Sequence, residues 1–379
     1  MVFFAIAVIF TNTMQAQVPT SEPRLWVLDL GMVPSYRELR LNGKEVAQAA
    51  SVVFVDSKTV AVTYRVAPDG RPSTEGTDSV AFVDAESGAV RDSLRWATPN
   101  EFPADRNFVR LLPTHNGEFL VVVGRFVRHF SASHKELNTR ELPIAGNGRW
   151  EWVVRVSPDG QMALMKRFGP GVNEDHWLSA ETLEDRTVAP APFYGYGYEV
   201  GPGFVVYNAS GQDSETRNQV RIHTSAGDDR ILCTECKGAN FGIVRDRVFF
   251  GGLPAGTGVV TGMDGSILLR KKFGRKNQLV GQVSVARDST QVAFYMSYLE
   301  NKLFHGFQAI SRIVVLDTAT LHESRRFDFA DSGERQDGGE RFLWPIMAIS
   351  PDGTKLALLW RTASAYRHDR LEVFPLVHN

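Results

Sequence analysis

The chain of 379 residues carries 42 Lys and Arg against 43 Asp and Glu, a net charge of −1. That balance excludes the broad basic footprint of a nucleic-acid binder and an acidic solvating tail alike. Hydrophobic residues at 43% and charged residues at 22% are ordinary for a globular protein, while 33 Gly, 18 Pro and 24 Phe favour strands joined by many turns.

The first feature along the chain is the unbroken apolar run Val2–Phe10, followed by a short polar stretch with Ala16 at a cleavable position. It reads as a signal peptide over residues 1–16, although no Lys or Arg precedes it. The run is too short to span a bilayer, and no later segment is long and apolar enough to do so. The expectation is export to the periplasm or the exterior, with one domain over residues 21–379 and no transmembrane anchor after signal cleavage.

Next comes Leu25–Leu30, a strand-like run standing alone. After it, one pattern recurs: apolar strand, tight turn, apolar strand. Its turns lie at Phe54–Lys58, Pro113–Gly117, Ser157–Gly160, Val200–Gly203, Val244–Arg247, Ala286–Thr290 and Ser350–Gly353. Two copies read Ser-Pro-Asp-Gly. There proline presets φ, aspartate bonds back to the turn, and glycine takes the positive-φ place. A second series of turns alternates with the first, at Phe82–Gly88, Phe130–His134, Leu178–Thr182, His223–Gly227, Thr261–Gly265 and Leu316–Thr320. The period, mostly about 40–65 residues, is that of propeller blades.

Seven first turns and six second turns predict seven four-stranded antiparallel blades, all-β, with one strand missing at the C-terminal end. The last blade offers strands near Trp344–Ile349, Lys355–Trp360 and Leu371–Pro375, and Leu25–Leu30 is free to supply its fourth. Closure by the N-terminal strand removes the sheet edge. A six-bladed ring is the alternative if Tyr198–Cys236 and Phe241–Lys271 pack irregularly.

The Ser157–Gly160 and Ser350–Gly353 hairpins resemble the repeat of TolB-like and WD40-like bacterial propellers, which also occurs in accessory domains of prolyl-oligopeptidase-type peptidases. The resemblance implies fold and little about activity. The chain has no Gly-x-Ser-x-Gly and no room for a peptidase domain.

In such blades the first-to-second and third-to-fourth turns share one face. The longer connections share the other, where function usually sits. Second strands end towards that second face, and the candidate binding rim is Arg65, Arg125, Arg167, Tyr207, Tyr298 and Arg361, with Trp152 and Trp344 from first strands. Arg and aromatic groups recognise carboxylates, phosphates and extended peptides. The competing reading is that these side chains snorkel from the core and pair with loop acids.

Cys233 and Cys236, in Cys-Thr-Glu-Cys, are the only cysteines. A disulfide or free thiols fits best. A thioredoxin-like motif needs a βαβ context, haem attachment needs His where Lys237 stands, and zinc needs more ligands than His223. Glu174-Asp175-His176 is the densest acid–histidine cluster, expected in a long solvated loop within Phe168–Asp175; Glu300–Phe307 is expected to be another such loop. No metal or cofactor site is complete.

These observations predict an exported, non-catalytic, monomeric propeller that binds a protein, peptide or anionic ligand through its long-loop face. The alternative is a propeller enzyme of lactonase, lyase or glycan-hydrolase type, with acids around the channel. A quinoprotein would need a tryptophan stacked under its cofactor; seven tryptophans permit this without indicating it.

Overall fold

A computed structural model describes residues 24–30, 46–67, 76–98, 109–142, 151–169, 172–190, 195–209, 219–236, 240–253, 257–272, 279–288, 290–302, 306–330, 345–360 and 369–376. They form seven four-stranded antiparallel sheets. The chain enters through β1 (Trp26–Asp29). Blade one is β2 (Val46–Asp56), β3 (Thr59–Ala67), β4 (Gly76–Asp84) and β5 (Val90–Thr98). Blade two is β6 (Arg110–Pro113), β7 (Phe119–Val123), β8 (Phe126–Phe130) and β9 (Glu136–Glu141). Blade three is β10 (Glu151–Val156), β11 (Met162–Gly169), β12 (Val172–Ser179) and β13 (Asp185–Pro190). Blade four is β14 (Gly195–Gly201), β15 (Phe204–Ala209), β16 (Val220–Thr224) and β17 (Asp229–Cys233). Blade five is β18 (Asn240–Val244), β19 (Arg247–Leu253), β20 (Thr257–Gly262) and β21 (Ile267–Lys272). Blade six is β22 (Leu279–Val285), β23 (Gln291–Lys302), β24 (Gly306–Asp317) and β25 (Glu323–Ala330). Blade seven is β26 (Ile346–Ile349), β27 (Lys355–Trp360) and β28 (Arg370–Pro375), completed by β1.

The first strands of neighbouring blades touch in a closed ring, so the seven blades stand around one axis. Blades four and five are each a complete four-stranded sheet, despite register shifts within them, which excludes the six-bladed alternative. Burial falls from the axis outwards. Strand β4 is buried from Asp78 to Asp84, because neighbouring blades cover both of its faces, and it reads Ser-Val-Ala-Phe-Val without alternation. The outer strands β9 and β13 are largely exposed and polar. Each junction between blades holds its own apolar cluster. The smallest, between blades three and four, centres on Leu164, Trp177, Val200, Val205, Tyr207 and Ala209.

The turn chemistry follows the repeat. In blade three the Ser157 hydroxyl accepts from Met162 N at 3.0 Å, and Asp159 accepts from Gln161 N at 3.1 Å. In blade seven Ser350 accepts from Lys355 N at 2.9 Å, and Asp352 from Thr354 N at 3.1 Å. The third-to-fourth turns use aspartate similarly. Asp317 accepts from Ala319 N at 3.1 Å, Thr320 N at 2.7 Å and the Thr320 hydroxyl at 2.8 Å.

The Thr320 backbone bond, first among several, holds the Asp317 carboxyl below its usual value of 3.8. A carboxyl lowered on folding contributes stability that is present above its unfolded pKa and lost as pH falls through the folded one. Asp317→Ala is therefore expected to cost about 1 kcal/mol at pH 7. In denaturation curves, the gap to wild type should narrow as pH drops below 3.8. A gap independent of pH would contradict this account.

The ring closes as the orphan N-terminal strand suggests. Trp26 pairs with Val373 and Asp29 with Arg370. The Trp26 indole N–H donates to Ala85 O of blade one at 3.0 Å, and the ring lies against Gly88. Glu372, fully buried, meets Arg24 at 2.7 Å, Arg370 at 2.9 Å and the Trp360 indole N–H at 3.2 Å.

Two expected loops are strand instead. Glu174, Asp175 and His176 lie in β12, where Asp175 stands opposite Lys166 and is buried in an ion pair with it at 2.9 Å. Gly169 of β11 pairs with Val172 of β12, so Phe168–Asp175 contains no long loop. Likewise most of Glu300–Phe307 belongs to the long β23–β24 hairpin, in which Lys302 pairs with Gly306. Periodicity hides both, because polar residues continue the pairing past the apolar part of each strand.

Cys233 and Cys236 are joined by a disulfide, with Cys236 fully buried in the cluster between blades four and five. A loop this short restricts the unfolded chain modestly. Opening it by reduction, or by replacing both cysteines with serine, is expected to lower stability by about 2 kcal/mol. Chemical denaturation with and without reductant reads that difference.

Candidate functional site

Every first strand delivers a residue to the axis, and the space left there is a cavity of about 300 Å³. All seven blades line it, through Phe54, Pro113, Ser157, Glu199, Ile243, Ala286 and Met347 among others. Its position among these residues places it where the short first-to-second turns gather. The strand ends that lead into the long connections, to which the sequence points, are at the other end of the axis; the connections themselves lie largely outside the described residues.

The walls are mostly apolar, and the charged groups stand out against them. Glu199 on β14 lines the cavity; burial raises its carboxyl above the usual range, and the charge of nearby Arg155 on β10 works the other way. Arg287 comes from the turn after β22. Its Nε donates to Pro158 O and its Nη2 to Pro113 O, each at 2.9 Å. These carbonyls belong to blades three and two, across the ring from blade six, so the side chain bridges the mouth. Burial lowers the Arg287 guanidinium, while Asp159 and Asp288 favour its charged form. The seat of that guanidinium requires Gly160. A β-carbon there would lie against Arg287 Nη2, 2.5 Å from Thr114 C and 2.6 Å from His115 N, at a φ of +72°.

The rim residues expected from sequence scatter. Arg65 is 2% exposed and pairs at 3.8 Å with Asp78, its register partner on β4. Tyr207 is 2% exposed; its hydroxyl donates to Asp229 at 3.0 Å, and burial, foremost, raises its phenol. Neither offers an open face to a partner, because each is covered by the neighbouring blade. Arg167 is half-buried, 3.5 Å from Glu174 and in register with Trp152. Arg125 meets Glu141 at 3.0 Å and lies over the Phe126 ring at 5.4 Å. Tyr298 pairs through its backbone with Ile310 in the β23–β24 hairpin. Arg361 and Trp344 lie outside the described residues. Blade three thus brings Trp152, Arg167 and Glu174 into register, while Arg65, Arg125, Tyr207 and Tyr298 belong to other blades.

Chemically, the cavity offers one acid with raised proton affinity, Glu199, and one arginine, Arg287, among its lining residues. A glycoside hydrolase of the usual type needs two carboxyl groups at a set spacing. Among the described residues, no group of three or more His, Cys, Asp or Glu is placed to hold a metal ion.

No family profile and no curated protein matches the sequence. Among solved structures, a chain of the Mitotic Checkpoint Complex crystal structure aligns over 100% of this chain and 98% of its own, at 14% identity and a TM-score of 0.52. What they share is the propeller fold. Two further similar structures are a Kluyveromyces lactis Hsv2 with loop 6CD replaced by a Gly-Ser linker and a functionally unknown protein from Desulfotomaculum acetoxidans DSM 771. The first has 12% identity, covers 83% of this chain and 89% of that one, and has a TM-score of 0.49. The second has 15% identity, 80% and 92% coverage, and a TM-score of 0.49.

Among the described residues, the two charged ones that line the channel, Arg287 and Glu199, escaped the sequence reading. Their signal was a departure from the repeat. Arg287 takes the place that proline holds in the turns at Ser157–Gly160 and Ser350–Gly353, and Glu199 precedes a turn that has lost its serine and aspartate.

Proposed function

We propose that this is an exported, non-catalytic binding propeller that holds a protein or peptide on the face carrying its long connections. The asymmetry between its two faces carries this reading. On one face the turns are brief, such as 57–58, 114–118, 202–203 and 245–246. The other face receives the strand ends that flank residues 31–45, 99–108, 210–218, 331–344 and 361–368, and the β23–β24 hairpin extends the same way. A closed ring whose longer connections gather on one side is a binding architecture. Solved propellers of the same fold support the architecture and leave the partner open.

The test replaces residues 210–218 and 331–344 with Gly-Ser linkers of equal length. Capture of envelope proteins or peptides by the immobilised chain should be lost with the replaced loops. It should persist when exposed residues of the short turns, such as Asp246, are altered. Equal capture by all variants would remove the assignment to this face. Export is read from the mature N-terminus, expected just after Ala16 in an envelope fraction; an intact Met1 in the cytoplasm would overturn it.

A further inference from the structure

Among the described residues, Glu199 is the one carboxyl in the lining of the axial cavity. The strands explain where it points. Val200, next along β14, packs into the cluster between blades three and four. Side chains alternate along a strand, so Glu199 turns the other way, towards blade five. There Phe241 and Ile243 of β18 turn to meet it, since both pack in the cluster between blades four and five. All three line the cavity. The register of β14 shifts between Tyr196 and Glu199, and such a bulge is one way in which a strand re-aims a side chain.

Small residues keep the space around the axis open. Gly242, Ser284 and Ala348 stand, like Glu199, two residues before the one that closes the first turn of their blade. Each of them lines the cavity. Glycine, serine and alanine at one level of three successive blades leave a void that larger side chains would fill. Glu199 is half-buried, so part of its side chain stays open to that void.

The charges favour a cation there. Arg287, at the mouth, has given two of its donors to Pro113 O and Pro158 O and has Asp159 and Asp288 for company. Walls of low dielectric concentrate the field of the Glu199 carboxylate on whatever enters. Burial opposes the charged form of this group; a cation beside it acts as the charge of Arg155 on β10 does, in the opposite direction. Phe54 and Phe241 add ring surface, which attracts alkylated ammonium groups.

We propose that the axial cavity is a binding site for a small organic ammonium ion, with Glu199 as its counter-ion and Phe241 and Ile243 against its carbon skeleton. An anion would be repelled by the same carboxylate, and a neutral alcohol would leave it uncompensated. The volume, about 300 Å³, lies at the small end of ligand sites and admits an amine of a few carbons. The turn residues Pro113, Ser157 and Pro351 line the cavity too, so the site belongs to the short-turn end and does not rest on the loop-face reading.

The experiment uses the full chain and its Glu199→Gln variant. Calorimetry is run at constant ionic strength with butylammonium and tetramethylammonium, against butanol as the neutral counterpart and butyrate as the anionic one. Saturable binding of an ammonium ion is expected, weakened at least about tenfold in the variant. In the wild type, the carboxyl carbon resonance of Glu199 should move as the ammonium ion saturates, a readout that does not require the variant to fold. Tighter binding of butylammonium identifies a hydrogen bond to the carboxylate. Tighter binding of tetramethylammonium identifies the rings as the larger contribution beside it.

Three results would overturn the proposal. They are no saturable binding of either ammonium ion, butanol or butyrate binding as tightly as the better of the two, and a Glu199 resonance unmoved at saturation. Replacement of residues 210–218 and 331–344 by linkers, expected to abolish loop-face capture, should leave ammonium binding unchanged, so the two readings fail separately.

Discussion

Replacing Glu372 by alanine is expected to destabilise the protein by about 3–5 kcal/mol, the cost of removing one partner from a buried ion pair. Its carboxylate is fully buried and clasps three groups from three places in the chain: Arg24 before β1, Arg370 on β28 and the Trp360 indole on β27. Alanine would remove the carboxylate that the two guanidiniums and the indole N–H share, while β1 is held by four register pairs. The loss should therefore appear first as detachment of the N-terminal strand. Hydrogen exchange at Leu25 and Leu30, whose amides donate to Val373 O and Asp369 O, should accelerate in the variant well before global unfolding. Glu372→Gln retains an acceptor for the indole and should recover part of the loss. Unchanged exchange at these two amides would show that strand pairing alone secures the ring.

Gly160→Ala is expected to cost about 2–5 kcal/mol, from a residue forced to positive φ and an overpacked contact together. The new β-carbon meets a flexible guanidinium on one side and rigid backbone of blade two on the other. Arg287 can move, and the chain at Thr114 and His115 cannot without shifting a turn. In a double-mutant cycle, Arg287→Ala alone should destabilise by leaving Pro113 O and Pro158 O without their donor. Combined with Gly160→Ala it should cost less than the sum of the two. Strict additivity would mean that the guanidinium is not seated against Gly160.

Blade number and closure were legible because both rest on local signals. Turn residues mark each hairpin, and an unpaired strand at one terminus answers a missing strand at the other. The edges of the blades were legible only in part. Arg65 and Arg167 both read as rim cations, yet each faces an acid one strand away, Asp78 and Glu174, as Lys166 faces Asp175. Cation and acid sit at matching distances from the turn between second and third strands, a relation visible only once the register is fixed. What decides whether such a pair is surface or interior is the neighbouring blade. Asp175 is buried, and the charge of Asp229 from blade four reaches Lys166, an effect that no pattern within blade three could show. The channel was less legible still. Its lining comes from seven strands about one repeat apart, and none of the charged members belongs to a motif.

The clasp between Arg24 and Glu372 joins positions 348 apart in the chain. A ribosome must therefore reach β28 before the ring can shut. Until then Trp26–Asp29 has no partner, and blade seven, once formed, shows an open edge ready to pair with another chain. Such long-range closure is slow, so the last event of folding is also the interval of greatest risk. A second molecule's β1 could fill the vacancy as well as its own, because the strand carries its docking residues with it. Crowded refolding would then link propellers through exchanged first strands, and dilution would favour the monomeric ring.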